Sequence, residues 1–320
     1  MDLERMLKKC REGQWSIAEL DFSRPPPPLS RDAEEMVVQY FTDMAGIERM
    51  AGALFAEERC MTRDSKLKAI FRTFEADEIR HAQVAQMLAD YFDVHRYRVY
   101  QMNPHLVKFY PRFVHAIRYL SPEIANIYVT VGEVLLDVAL LRSLNDYLDD
   151  PTSREAITRI NQDESRHLAM DYYMVAYYSS DAWLEESSRR PPRPLVVRLQ
   201  AWSSFARVLY HARPFFKQVL FEPMEKVDPS GRRLKEAFKR IQLLTAREDV
   251  AARPFVRFIL IMQDLFNSPM LGILAGRAVV RVLGVDPSVL VRLYSQEEYR
   301  QARTKSCEEM ARETLALKYA

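Results

Sequence analysis

Asp77-Glu78-Ile79-Arg80-His81 and Asp163-Glu164-Ser165-Arg166-His167 spell the same five-residue pattern, D-E-x-R-H, twice in one chain. A helix places Glu and His three residues apart on one face, so each copy can offer a carboxylate and an imidazole to a single ion. One E-x-x-H arises readily by chance on a surface helix. Two copies with the same flanking Asp and Arg carry far more weight in a chain with only six histidines.

Spacing supplies a second test. Each motif should face a lone glutamate on a neighbouring antiparallel helix. Glu48 and Glu78 are centred on residue 63, inside the polar break Thr62-Arg63-Asp64-Ser65. Glu133 and Glu164 are centred beside Asp149-Asp150-Pro151. Both pairs are therefore level, about 15 residues or roughly 22 Å from their turns. Glu57 would need a turn near 67–68, where Ser65-Lys66-Leu67-Lys68 offers no breaker. Apolar or small residues flank the two glutamates: Met44, Ala45, Ala51, Gly52 and Phe55 around Glu48, and Ile127, Thr130, Leu140 and Leu141 around Glu133. A carboxylate on an apolar stripe is costly unless paired or metal-bound. Glu48, Glu78, His81, Glu133, Glu164 and His167 are thus the candidate ligands. An oxygen and nitrogen donor set without thiolate suits iron or manganese. Asp77 and Asp163 are candidate outer partners, each expected to bond the ring N–H of the histidine in the opposite motif.

The surrounding chain predicts an all-α protein. It has 320 residues and only 8 glycines, and no stretch alternates with period two. Residues 1–29, with Pro25 to Pro28, look like an N-terminal arm. Residues 30–185 should hold the metal-binding bundle, with helices over about 31–60, 66–92, 121–149 and 151–179, and a loop with a short helix over 93–120. An Arg- and Pro-rich hinge, 189–194, leads to residues 186–320, read as additional helices near 195–226, 231–246, 248–283 (kinked at Pro269) and 287–317, in the same domain. The apolar run Phe255 to Leu283 carries Arg257, Asp264, Arg277 and Arg281, which argues for a core helix rather than a membrane span. Met262, Phe266, Met270 and Leu271 on it are candidate walls of a substrate pocket, with plain core packing as the competing reading.

The pattern Glu…D-E-x-R-H…Glu…D-E-x-R-H over residues 31–180 resembles the ferritin-like di-iron carboxylate oxidases and oxygenases. These include bacterial monooxygenase hydroxylases, arylamine N-oxygenases, acyl-carrier-protein desaturases and ribonucleotide reductase small subunits. The resemblance implies a ferritin-like four-helix bundle with additional C-terminal helices, and two metal ions, Fe/Fe or Mn/Fe. It also implies O2 as co-substrate, with Glu48 and Glu133 as terminal ligands and Glu78 and Glu164 as bridges. Ala85 stands where the reductases carry their radical tyrosine, which argues against a tyrosyl-radical subunit. Ile160 stands where the N-oxygenases carry an extra histidine, so a further ligand would have to come from His115 or His211. For those two, as for His95 and His105, an ordinary structural role outweighs ligation.

An O2-dependent oxidase or oxygenase acting on a small organic substrate by hydroxylation, desaturation or N-oxygenation is the expectation. Iron handling of ferroxidase type, or ligand binding around a di-metal site, is the alternative. The chain has no flavin, nicotinamide or iron–sulfur motif, so electrons must come from elsewhere. Residues 1–180 hold 22 Lys+Arg and 28 Asp+Glu, and residues 181–320 hold 24 and 16. The excess of +8 in the second part suits solvated arginine faces, or docking of an acidic ferredoxin, reductase or acyl or peptidyl carrier protein. Three isolated cysteines and an N-terminus without an apolar run suggest a reduced, cytoplasmic setting. No nucleic-acid or membrane partner is expected, and a homodimer is compatible with all of this.

Overall fold

The computed structural model describes residues 1–189, 191–269 and 291–318, which are helical with no strand among them. The helices are α1 (Leu3–Glu12), α2 (Arg31–Met61), α3 (Ser65–Phe92), α4 (Pro104–Tyr119), α5 (Pro122–Val134), α6 (Arg142–Leu148), α7 (Pro151–Ser179) and α8 (Asp181–Ser188). They continue with α9 (Leu195–Phe215), α10 (Glu222–Val227), α11 (Arg232–Ala246), α12 (Glu248–Ala251), α13 (Pro254–Asn267), α14 (Gln296–Thr304) and α15 (Cys307–Ala316). Seven residues of π-helix, Leu135–Leu141, join α5 to α6, and Phe216–Phe221 join α9 to α10 in the same way.

Four rods form the bundle: α2, α3, α7 and the α5–α6 rod. Each touches two others, α2 with α3 and α5, and α7 with α3 and α5. The two hairpin turns are built from capping carboxylates. Asp64 accepts from the backbone N–H of Lys66 and Leu67, and Asp150 from that of Ser153. Asp149, in the left-handed region at φ 45°, ends α6 and turns the chain into α7. Phe41, Phe55, Phe71, Phe74, Phe92, Leu88, Leu140 and Leu144 fill the centre. Among the described residues one rod, Pro122–Leu148, is long and apolar enough to cross a membrane, but it lies largely buried inside this bundle.

Several boundaries differ from the expectation. The 93–120 region holds a full 16-residue helix, α4, because Asn103 caps it and Pro104 starts it. Pro111 is accommodated inside it. The arm contains α1, packed on α3 and α7. The 248–283 helix breaks at Arg253, whose extended conformation is what a following proline imposes. Its C-terminal part, with Met270, Leu271 and the start of the expected 287–317 helix, lies outside the described residues. The rest of that last helix is two, α14 and α15, separated because Ser306 caps a new start.

Candidate metal centre

Glu48 comes from α2, Glu78 and His81 from α3, Glu133 from α5, and Glu164 and His167 from α7. All six are buried, with Glu78, His81 and His167 fully so. The fold brings them into two overlapping groups. Glu48, Glu78, His81 and Glu164 offer ligand atoms that lie within 4.8 Å of one another, and so do Glu78, Glu133, Glu164 and His167. Each group could hold a metal ion, and the two share Glu78 and Glu164.

The rings are oriented by both hairpins. Nδ1 of His81 lies 2.9 Å from Glu164 and 3.6 Å from Glu78. Nδ1 of His167 lies 3.0 Å from Glu78 and 2.9 Å from Glu164. On the far side, Nε2 of His81 faces Asp163 at 3.0 Å, and Nε2 of His167 faces Asp77 at 3.3 Å. The pairing is crossed, each aspartate serving the opposite motif's histidine. A ring that donates its Nε2–H to the aspartate turns an Nδ1 lone pair towards the shared glutamates.

Burial disfavours charge on both rings, but their carboxylate neighbours outweigh it and hold both imidazoles well above the usual histidine range. Burial, then the charges of Glu78 and Glu164, push the Glu48 carboxyl far up. Glu164 goes the other way: burial would raise it, and the two histidines hold it well below the usual range. Neither oxygen of Glu78 has a well-directed hydrogen bond, although Oε1 approaches His167. Nδ1 of His81 is likewise without one. A buried carboxylate left in that condition costs several kcal/mol unless a cation faces it.

A charged layer surrounds the aspartates. Arg80 pairs with Asp77 and reaches Asp163 at 2.9 Å. Arg166 pairs with Asp163 and approaches Asp77 at 3.6 Å. The N-terminal segment completes the layer. The Gln14 side-chain amide donates to Asp77 at 2.8 Å, and the Trp15 indole donates to Asp163 at 2.8 Å. The Arg80 guanidinium also stacks over the Trp15 ring. Gln14 and Trp15 carry no local signal in the sequence, since their partners are 63 and 148 residues away. Phe55 and Phe74 pack on the His167 ring and keep that side dry.

The other candidates lie apart. His115 meets Ser204 at 3.3 Å and lies tilted against the Tyr119 ring, and His211 sits on α9 near Lys108 and Arg112. Neither joins the cluster, because α4 and α9 pack on each other outside the four rods. Met262 and Phe266 are half-buried on α13, which packs on α12. They line neither the cleft beside Tyr40 nor the cavity beside Tyr172. Tyr172 is buried, with its hydroxyl bonded to Thr314. Glu58 and Tyr40 on α2 are among the buried polar groups that escaped the sequence reading. Comparison with protein-family models, with curated proteins and with solved structures finds no match.

Proposed function

We propose that this chain is a ferritin-like, O2-activating non-haem di-iron oxidase or oxygenase acting on a small organic substrate. The observation that carries the reading is the sharing of Glu78 and Glu164 between two buried ligand groups. Shared carboxylates are what a pair of ions requires. Glu48 with His81 would complete one ion and Glu133 with His167 the other. Charge supports the number. The cluster and its outer layer hold six carboxylates, the four glutamates with Asp77 and Asp163, and the two guanidiniums of Arg80 and Arg166 that pair with the aspartates. With every carboxylate ionised and both imidazoles neutral, as ligation requires, that leaves −4, which two divalent ions would balance. The donor set suits iron, alone or with manganese.

When bound, reduced iron would supply the electrons that O2 activation needs. The residues of the chain do the rest. Glu78 and Glu164 would hold both ions at a fixed separation. Asp77 and Asp163 would keep each histidine in the tautomer that ligates, and, against burial, His81, then Arg80 and Arg166, favour the ionised form of Asp163. Phe55 and Phe74 exclude water beside His167. The helices beyond residue 185 exceed what storage in a simple four-helix bundle requires, which favours an enzyme over iron handling.

Metal analysis of the purified protein, followed by O2-electrode measurement on the Fe(II)-loaded form, tests the reading. Two irons per chain and O2 consumption that depends on Glu78 and His167 are expected. One metal per chain, or none of this consumption, would overturn it. O2 consumption with ferric iron as the sole product would move the protein to the ferroxidase class.

A further inference from the structure

A cleft of about 740 Å³ opens on the bundle between the first turns of α2, the 98–103 segment, Tyr147 of α6 and the Gln218–Pro229 stretch around α10. Five carboxylic acids line it, Asp32, Glu35, Asp43, Glu222 and Glu225, against two cations, Arg98 and Lys226. Some of this charge is answered locally. Glu35 pairs with Arg31 at 2.8 Å and approaches Arg98 at 3.6 Å, and Lys217 stands 3.8 Å from Glu222. Asp32 and Glu225 make no ion pair among the described residues. Between the acids the wall is apolar, supplied by Met36, Tyr147, Val219 and Pro223.

The inner wall is Tyr40. Its side chain is 5 % exposed, and its hydroxyl bonds to no described residue, although it lines the cleft. Burial, and then the nearby carboxylates of Glu48 and Asp43, push its pKa far above the usual phenol range, so it stays a neutral donor and acceptor. Asp43 beside it is 6 % exposed, accepting from the Asn103 backbone N–H and the Gln39 amide. Tyr40 and Glu48 are eight residues apart on α2, about 12 Å along the axis. Tyr40 is near enough for the Glu48 carboxylate to act on its hydroxyl, so the inner wall of the cleft lies towards the Glu48 side of the metal cluster.

We propose that this cleft binds an organic ammonium ion with an apolar stem, an alkylamine or diamine, and that it is the substrate site of the oxidase. Only the last clause rests on the oxidase reading. Cleft volume decides between cations, because 740 Å³ is the size of small-molecule sites and far exceeds a single metal ion. The excess of acids over bases favours cations over carboxylate and phosphate ligands, and the apolar wall gives a stem its place. The unpartnered Tyr40 hydroxyl and the free edges of Asp32 and Glu225 are acceptors for ammonium N–H groups.

Calorimetric titration of the full-length protein with 1,6-diaminohexane, and with adipate as the same-length dianion, tests this on metal-free and iron-loaded samples. The diamine should bind and adipate should not. Asp32→Asn with Glu225→Gln should weaken diamine binding roughly five- to tenfold, as loss of two partly screened charges does. Lys226→Gln should tighten it a few-fold, which no unfolded variant could mimic. Tyr40→Phe should weaken it with unchanged circular dichroism. Equal binding of diamine and adipate, full displacement by equimolar Mg²⁺, or unchanged binding in all three variants would overturn the proposal. Because metal-free protein is titrated, diamine binding without O2 consumption would keep the cleft and discard the oxidase. O2 consumption without diamine binding would do the reverse.

Discussion

Trp15 and His81 meet on one oxygen: Oδ2 of Asp163 lies 2.8 Å from the Trp15 indole nitrogen and 3.0 Å from Nε2 of the histidine. Arg80 reaches the same atom at 2.9 Å. The N-terminal segment is therefore bonded into the layer that aims a candidate ligand. Trp15→Phe keeps the ring over Arg80 and removes the N–H. We expect roughly tenfold weaker Fe(II) or Co(II) binding, the usual scale for losing an outer partner of a ligating histidine, with the fold intact. Competition against a coloured chelator measures it, and unchanged affinity would refute the role given to Trp15.

Glu78 has no well-directed hydrogen bond to either oxygen. Glu78→Gln should leave the thermal midpoint of metal-free protein little changed, since it keeps the shape of a side chain that has no well-directed hydrogen bond to lose. The same substitution should abolish the rise in midpoint that metal gives to the unsubstituted chain. Differential scanning calorimetry with and without Fe(II) reads both. A variant destabilised without metal and still stabilised by it would contradict the assignment.

Gly52 faces Glu78 across the α2–α3 contact. A Cβ there would sit 3.2 Å from Cβ of Glu78. Gly52→Ala gains about 1 kcal/mol of helix propensity and displaces Glu78 by a few tenths of an ångström. We expect an unchanged or higher unfolding midpoint together with weaker metal binding. Chemical denaturation and metal titration on the same sample separate the two effects, and a stabilised variant with full affinity would show that Glu78 has room to spare.

Glu58 is buried, and its two oxygens have no hydrogen bond among the described residues. Burial pushes its pKa from 4.5 up to about 8. Between those values the folded chain keeps a proton that the unfolded chain releases, so stability falls as pH rises. The loss is about 1.4 kcal/mol per pH unit, and it is complete above the folded pKa. Glu58→Gln lacks this slope. The variant should therefore gain on the unsubstituted protein from pH 5 to pH 9 in urea denaturation. A difference that does not change with pH would place the Glu58 carboxyl in water.

Much of the centre was legible in the chain because it obeys local rules. The i,i+3 spacing in Glu78/His81 and Glu164/His167, and the capping acids Asp64 and Asp150 at the turns, are short-range devices. Together they fix which glutamates come level. The contributions of Gln14 and Trp15 were not legible, because a hydrogen bond spanning 148 residues leaves no periodic trace. The π-helical segment after Glu133 was hidden too, since its residues, Leu135–Leu141, read as ordinary apolar helix. The break at Pro254 was missed in favour of Pro269, although Arg253 before it was already biased towards extended backbone. Tyr40 and Glu58 sit on a helix whose buried face was taken to be apolar apart from Glu48.

The crossed geometry bears on how the molecule is put together. Each ligand group draws at least one member from each hairpin, Glu164 with the α2–α3 set and Glu78 with the α7 set. Neither half of the chain owns a complete group. A nascent chain that had released only α2 and α3 would offer a cation half a cage, and so would an unfolded one. If the cluster holds a cation, tight capture would begin only once the two halves have docked, and retention of that cation would then report correct assembly.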